Sequence, residues 1–212
     1  MSELPKIPVL IVSDVVCPWC MLGRARLEEA RRQLAGQVEI DVHWHPFALN
    51  PDTPAGGTNR KAFMEAKLGK ERLAQAHQHL KALGDAEGVE FNFDKIAIQP
   101  NTLDAHRLIA FAGPKADAVA LALFKAFFTD GKDIGDLAVL KAIAAEHGLE
   151  GADAFLTSGE GRDATNEAIA QAQQSGVQGV PFFVMAGKLA VSGAHPPEAL
   201  VDAIRQAAGV AA

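Results

Sequence analysis

The stretch Pro8-Val9-Leu10-Ile11-Val12-Ser13-Asp14-Val15-Val16-Cys17-Pro18-Trp19-Cys20 decides how the rest of the chain is read. Pro8 to Asp14 is a short β-branched run that ends in polar residues, the pattern of a buried strand. From Cys17 to about Leu34 the period changes. Leu22, Ala25, Leu27, Ala30 and Leu34 form an apolar stripe, and Arg24, Arg26, Glu28, Glu29, Arg31 and Arg32 form a wet side, so the segment reads as an amphipathic helix. Gly36 is placed to cap its end. Two cysteines therefore stand where a strand hands over to a helix.

They are the only cysteines in 212 residues. A disulfide between them would close a very small loop and constrain the unfolded chain little, so a structural staple is a poor use for the pair. The start of a helix is a good place for a thiolate, because its backbone N–H groups are unpaired and its dipole favours negative charge. A free thiol with a pKa of ~8.5 is only a few per cent ionised at neutral pH, so even a modest lowering changes its reactivity. Cys17 is the expected nucleophile. Cys20, one helical turn on, can attack a mixed disulfide formed at Cys17 and release the partner. Pro18 suits the first helical turn, and Trp19 offers an aromatic surface beside the sulfur. Two other readings remain: half of a zinc site, and a pair of inert core cysteines. The first lacks a second cysteine pair, with His77 and His79 pointing apart on a helix and His43 and His45 isolated on a strand, so no metal is expected. The strand-to-helix position argues against the second.

Working outward, Val38, Ile40, Val42 and Trp44 alternate with Glu39, Asp41, His43 and His45, which marks a second strand up to Phe47. Strand, helix and strand at this length form a βαβ unit with a right-handed parallel crossover. A Pro/Gly-rich loop follows, Asn50 to Gly57. From Asn59 to Ser175 the pattern is helical throughout, with helices expected near 59–68, 70–83, 102–112, 115–129, 136–147, 151–157 and 161–175. Gly69, Gly84, Gly113-Pro114, Gly131 and Gly148 are the stop signals. The chain then returns to β: Pro181 to Met185 and Leu189 to Ser192 flank a short turn at Ala186-Gly187-Lys188. Pro196-Pro197 opens a last helix to about Ala208. The fold class is α/β, a thioredoxin fold (βαβ…ββα) interrupted by a large all-helical insertion. Residues 1–57 and 176–212 make the thioredoxin-like domain and 58–175 the inserted helical domain.

Composition narrows the function classes. Acidic and basic residues are interspersed with a net charge of −6, which disfavours a nucleic-acid partner. The apolar run Ile7 to Val12 follows no basic region and is cut off by Asp14, so neither a targeting segment nor a membrane span is expected, and the expected compartment is the cytoplasm. Far along the chain, Gly179-Val180-Pro181-Phe182 puts a proline at the start of a strand, where the missing N–H does least harm. Local sequence favours an ordinary trans bond there.

Together, four segments resemble the DsbA-like thioredoxin superfamily and its FrnE-like branch, related to 2-hydroxychromene-2-carboxylate isomerases and kappa-class glutathione transferases. They are Asp14 to Cys20, Gln99 to Leu108, Gly176 to Phe183 and Ser192-Gly193-Ala194-His195. The resemblance implies a cis bond before Pro181, packed against Cys17-Pro18-Trp19-Cys20, with Val180 open to an extended partner. It also implies that Asn101-Thr102 to His106-Arg107 opens an insertion helix facing the site, which makes Asn101 and His106 candidate substrate contacts. Read as residues alone, His106 and Arg107 fit a satisfied polar pair in the core equally well. Two departures matter. The isomerase and transferase relatives have serine where Cys17 stands, and His195 replaces a more usual glutamine.

The expected function is thiol–disulfide exchange, as an oxidoreductase or disulfide isomerase, through Cys17 and Cys20. Thiol- or disulfide-containing proteins or glutathione are the expected partners, and no bound cofactor is expected. The alternative is a glutathione-dependent isomerase or transferase acting on a small aromatic. A third reading is a chaperone-like module holding unfolded chains on the rim around Trp19 and Val180. Reduction potential, direction of electron flow and oligomeric state, a homodimer included, are not legible in the sequence.

Overall fold

The computed structural model describes residues 4–209. The ends of the expected thioredoxin part, 1–3 and 210–212, lie outside the described residues. Strand β1 (Lys6–Ser13), helix α1 (Pro18–Gln33) and strand β2 (Glu39–Pro46) form the βαβ unit, and β1 pairs with β2 in parallel from Lys6↔Glu39 to Ser13↔Pro46. β1 starts two residues earlier than Pro8, and its outer half is one-sided. Ile7, Val9 and Ile11 are buried, whereas Lys6 and Pro8 are exposed. Lys6 Nζ there lies 3.3 Å from the Asp41 carboxylate on β2.

Strands β3 (Thr58–Asn59) and β4 (Ile98–Gln99) belong to the middle of the chain, and β5 (Phe182–Met185) and β6 (Leu189–Ser192) to its end. The main sheet has the order β2-β1-β5-β6, with β5 antiparallel to both neighbours. Its inner face buries Val9, Ile11, Phe183 and Met185 against Leu27 and Ala30 of α1, against Leu34 just after it, and against Leu200 and Ile204 of the last helix, α9 (Pro197–Ala208). Each such side chain contributes roughly 1.5–3 kcal/mol of burial. β2 is an edge strand, so its alternation is only partly realised and Val42 and Trp44 are half-buried. The sheet and its flanking helices thus make a thioredoxin fold with a helical insertion.

The insertion holds α2 (Arg60–Leu68), α3 (Lys70–Glu87), α4 (Leu103–Phe111), α5 (Ala116–Phe124), α6 (Leu137–Glu146), α7 (Ala152–Thr157) and α8 (Arg162–Gln174). Three features depart from the expected pattern. Helix α3 runs through Gly84 instead of ending there. Gly84 is buried because the Val89 carbonyl would sit 2.2 Å from any Cβ at that position, so the glycine lets the chain fold back along the helix. Second, the insertion is not all-helical, since the stretch between α3 and α4 carries a short strand. Left-handed Gly88 stops α3, a single 3₁₀ turn forms at Phe93–Lys95, and β4 pairs with β3 through Thr58↔Gln99 and Asn59↔Ile98. Alternating Phe91 and Phe93 supply burial there that a helix would waste. Third, α5 ends in a π-turn, Lys125–Thr129, which turns both Phe127 and Phe128 into the core. Among the described residues, no helix is long and apolar enough to cross a membrane.

Candidate active site

Cys17 is the N-cap of α1, in extended conformation (φ −92°, ψ 113°), and Pro18 occupies the first helical turn. The Cys17 N–H donates to the Asp14 carbonyl (2.9 Å), and the Cys20 N–H to the Cys17 carbonyl (3.0 Å). These bonds fold the loop after β1 into the helix start, so both sulfurs lie on one side of its first turn. Both cysteines are reduced and buried, Cys20 completely. Burial pushes the Cys20 thiol well above the usual thiol range, and the neighbouring Cys17 sulfur adds to this; the Ser13 hydroxyl and the Asp14 backbone act in the opposite direction.

The second strand of contact comes from the far end of the chain. The Val180–Pro181 peptide is cis. The Cys17 thiol donates to the Val180 carbonyl at 3.5 Å across 163 residues of sequence. Pro181 also packs on α1: a Cβ placed on Gly23 would lie 2.9 Å from Pro181 Cγ and 3.2 Å from Phe183 Cζ. Only a residue with no side chain lets the helix and the proline loop come this close, and Gly23 carries no local sequence signal for it. The loop is held from behind as well, since the Gly193 N–H donates to the Pro181 carbonyl (2.8 Å). Arg26 of α1 donates to the Ala194 carbonyl and forms a bidentate pair with Glu87 of α3 (2.9 and 2.6 Å).

Cys17, Pro18, Trp19 and Val180 line a cavity of about 340 Å³. Its opposite wall is helical: Arg60 and Met64 of α2, Leu73, His77 and Leu80 of α3, and Phe93. Trp19 is 37% exposed, and its ring lies 6.0 Å from that of His79. His77 instead stacks on Phe93 at 4.0 Å, so the two histidines do diverge.

Asn101 and His106 are not brought to this cavity. Asn101 accepts from the Leu103 N–H (3.0 Å), bracing the start of α4, and donates to the Thr53 carbonyl (2.7 Å). His106 is buried behind the end of the strands, with Nε2 3.1 Å from the Phe47 carbonyl and 3.6 Å from Asp14 Oδ1. A carbonyl only accepts, so Nε2 carries the proton. Asp14 also accepts from the backbone of Leu49 (2.8 Å) and Val16 (3.4 Å), tying the loop before Cys17 to the loop after β2. Arg107 is completely buried. It pairs with Asp104 (2.7 Å) and donates to the carbonyls of Phe155, Ser158 and Glu160, closing the end of α7. His195 bonds back to the Ser192 carbonyl (2.9 Å) and does not line the cavity. Arg60 and Gly23 carry no local signal in the sequence, because each matters only through a tertiary neighbour.

The signature of the DSBA-like thioredoxin domain matches residues 8–205. The chain belongs to that family. Among solved structures, this DSBA-like protein is similar to a probable DsbA oxidoreductase from Streptomyces coelicolor, at 29% identity and a TM-score of 0.87 over 97% of this chain and 92% of that one. It shares its fold with a 2-hydroxychromene-2-carboxylate isomerase (16% identity, TM-score 0.72, 97% and 100% covered). It also shares its fold with the cytosolic disulfide reductase DsbM from Pseudomonas aeruginosa, solved with GSH (17% identity, TM-score 0.63, 95% and 96% covered).

Proposed function

We propose that this DSBA-like protein is a dithiol–disulfide oxidoreductase that works through Cys17 and Cys20. The observation that carries the reading is the unequal placement of two thiols one helical turn apart: Cys17 faces the Val180 carbonyl on a cavity wall, and Cys20 is sealed behind it. Cys17, as thiolate, attacks a substrate disulfide, and one substrate sulfur leaves as a thiolate. Cys20 then gives up its proton and attacks the Cys17 sulfur, releasing the second substrate thiolate. The protein is left with a Cys17–Cys20 disulfide, and the substrate has gained two electrons. With the protein disulfide as the starting state, the same steps run in reverse.

The wall formed by Trp19 and Val180 is the proposed docking surface for the substrate's chain beside its disulfide. Asn101 and His106 act within the fold, Asn101 on the Thr53 loop and the start of α4 and His106 against Phe47 and Asp14, instead of touching substrate. Thiol or disulfide proteins and glutathione are the proposed partners; the fold shared with a disulfide reductase solved with GSH supports glutathione as one of them. The test is a coupled assay of insulin or glutathione-disulfide reduction. Cys17→Ser is expected to bring the rate to background, and an unchanged rate overturns the proposal.

A further inference from the structure

The cavity beside Cys17 contains a charge that the exchange chemistry does not use. Arg60, the first residue of α2, is only 7% exposed. Its Nη1 donates to Gln99 Oε1. Its guanidinium lies over the Phe127 ring, 5.2 Å from the centroid, on the π-turn that ends α5. Among the described residues, no carboxylate lies within ion-pair distance of it. Asp14 is the acid whose charge it feels, and that carboxylate is committed to the Leu49 and Val16 backbone and faces His106. Burial pulls the guanidinium down to about 10, with Asp14 only partly opposing it. A buried cation without a counter-ion is costly to a fold. Arg107 shows how this chain treats a purely structural one, with a carboxylate and several carbonyls gathered around it.

The rest of the lining agrees in sign. Among the described residues, no acidic side chain lines the cavity, whereas Lys67 joins Arg60 there, in a protein whose net charge is −6. Most of the remaining surface is apolar, from Leu49, Met64, Leu68 and Leu73, with Asn50 and His77 adding neutral polar groups. A buried planar guanidinium with free donors on a largely apolar wall matches a carboxylate, and the surrounding wall matches an apolar body of modest size.

We propose that the cavity is a binding site for small apolar disulfides that carry a carboxylate, with the carboxylate held by Arg60 while the disulfide meets Cys17. The inference rests on the exchange reading above and names its substrate class. On reaction, the Cys17 thiolate bonds to one sulfur of the ligand, the other leaves as a thiolate, and Cys20 completes the two-electron reduction as before.

The test compares two aromatic disulfides on the reduced protein at an ionic strength of about 0.15 M, where exposed charges are screened beyond about 8 Å. One is dithiobis(nitrobenzoate), which has a carboxylate on each ring. The other is dithiodipyridine, which is neutral. Arg60→Met is expected to slow the carboxylate probe by about ten- to a hundred-fold, the range of a lost charged hydrogen bond, and to slow the neutral probe by less than about three-fold. Arg60→Lys is expected to recover part of the loss. Near-UV circular dichroism, through Trp19 and Trp44, reports separately whether the variant is folded. Equal slowing of both probes, or of neither, overturns the anion site while leaving the exchange reading intact. A wild-type protein that reacts with neither probe overturns both.

Discussion

One wall of the cleft comes from the sheet half of the molecule and the other from the helical block, and the two carry different chemistry. The sheet side supplies Cys17, Cys20 and the Val180 carbonyl, held together by short backbone bonds and by the contact of Gly23 with Pro181. The helical side supplies no nucleophile. It presents Met64, Leu73, Leu80 and Phe93 with one poorly neutralised arginine. Reactivity and selection are thus assigned to separate parts of the chain. Changes on the sheet side should alter every substrate's rate, and changes on the helical side should alter the ranking of substrates.

The largest effect that could break this division is in the nucleophile. Cys17→Ser should lower exchange with any disulfide by a factor on the order of 10³ or more, measured by single-turnover kinetics, because a hydroxyl is almost wholly protonated where a thiol is not. Next comes the contrast between the two buried arginines. Arg107→Met removes one of the two arginines on Asp104, which keeps Arg162, and takes the donor from several carbonyls around α7, so denaturant unfolding should show a loss of about 3 kcal/mol. The folded fraction should keep its Cys17 reactivity. Gly23→Val is expected to cost about 1–3 kcal/mol from overpacking. Because its new methyls meet Pro181, it should also slow exchange with charged and neutral disulfides alike. Equal stability with unaltered kinetics would mean that the proline loop does not depend on this contact.

The smallest effect concerns the seam between the halves. Burial alone would raise the Asp117 carboxyl. The hydrogen bond and charge of Arg24, together with Trp44, more than offset this and hold it below the ordinary carboxylate range. A carboxyl depressed in the folded state adds stability above its unfolded pKa of about 3.9, and that contribution is lost as pH falls through the lower folded value. Wild type should therefore lose stability more steeply than Asp117→Asn below about pH 4, as read from thermal melts across pH. Parallel curves would remove the seam's role.

The two walls also differed in how far they could be read in advance. Sheet-side elements are written in contiguous patterns: the apolar run from Ile7, the stripe on α1 and the turn at Ala186-Gly187-Lys188 each specify their own structure locally. The helices of the insertion were legible from period and glycine stops, but their placement was not. Nothing near Arg60 signals that Phe127, some 67 positions away by residue number, will lie beneath its guanidinium. Gly84 reads as a helix end until Val89 is seen folded against it. His106 and Arg107 could be read locally as either core or cleft. Only the positions of Phe47 and of the α7 carbonyls decide that they sit inside the fold.

The unequal roles of the two thiols are tested most directly by trapping. Cys20→Ser and Cys17→Ser proteins would each be mixed with a disulfide substrate, and the adducts located by mass spectrometry of peptides. A stable mixed disulfide on Cys17 of the Cys20→Ser protein, with none forming on buried Cys20 of the Cys17→Ser protein, is the predicted result. Equal trapping at both positions, or trapping on Cys20 alone, would contradict the assignment of Cys17 as the attacking thiol.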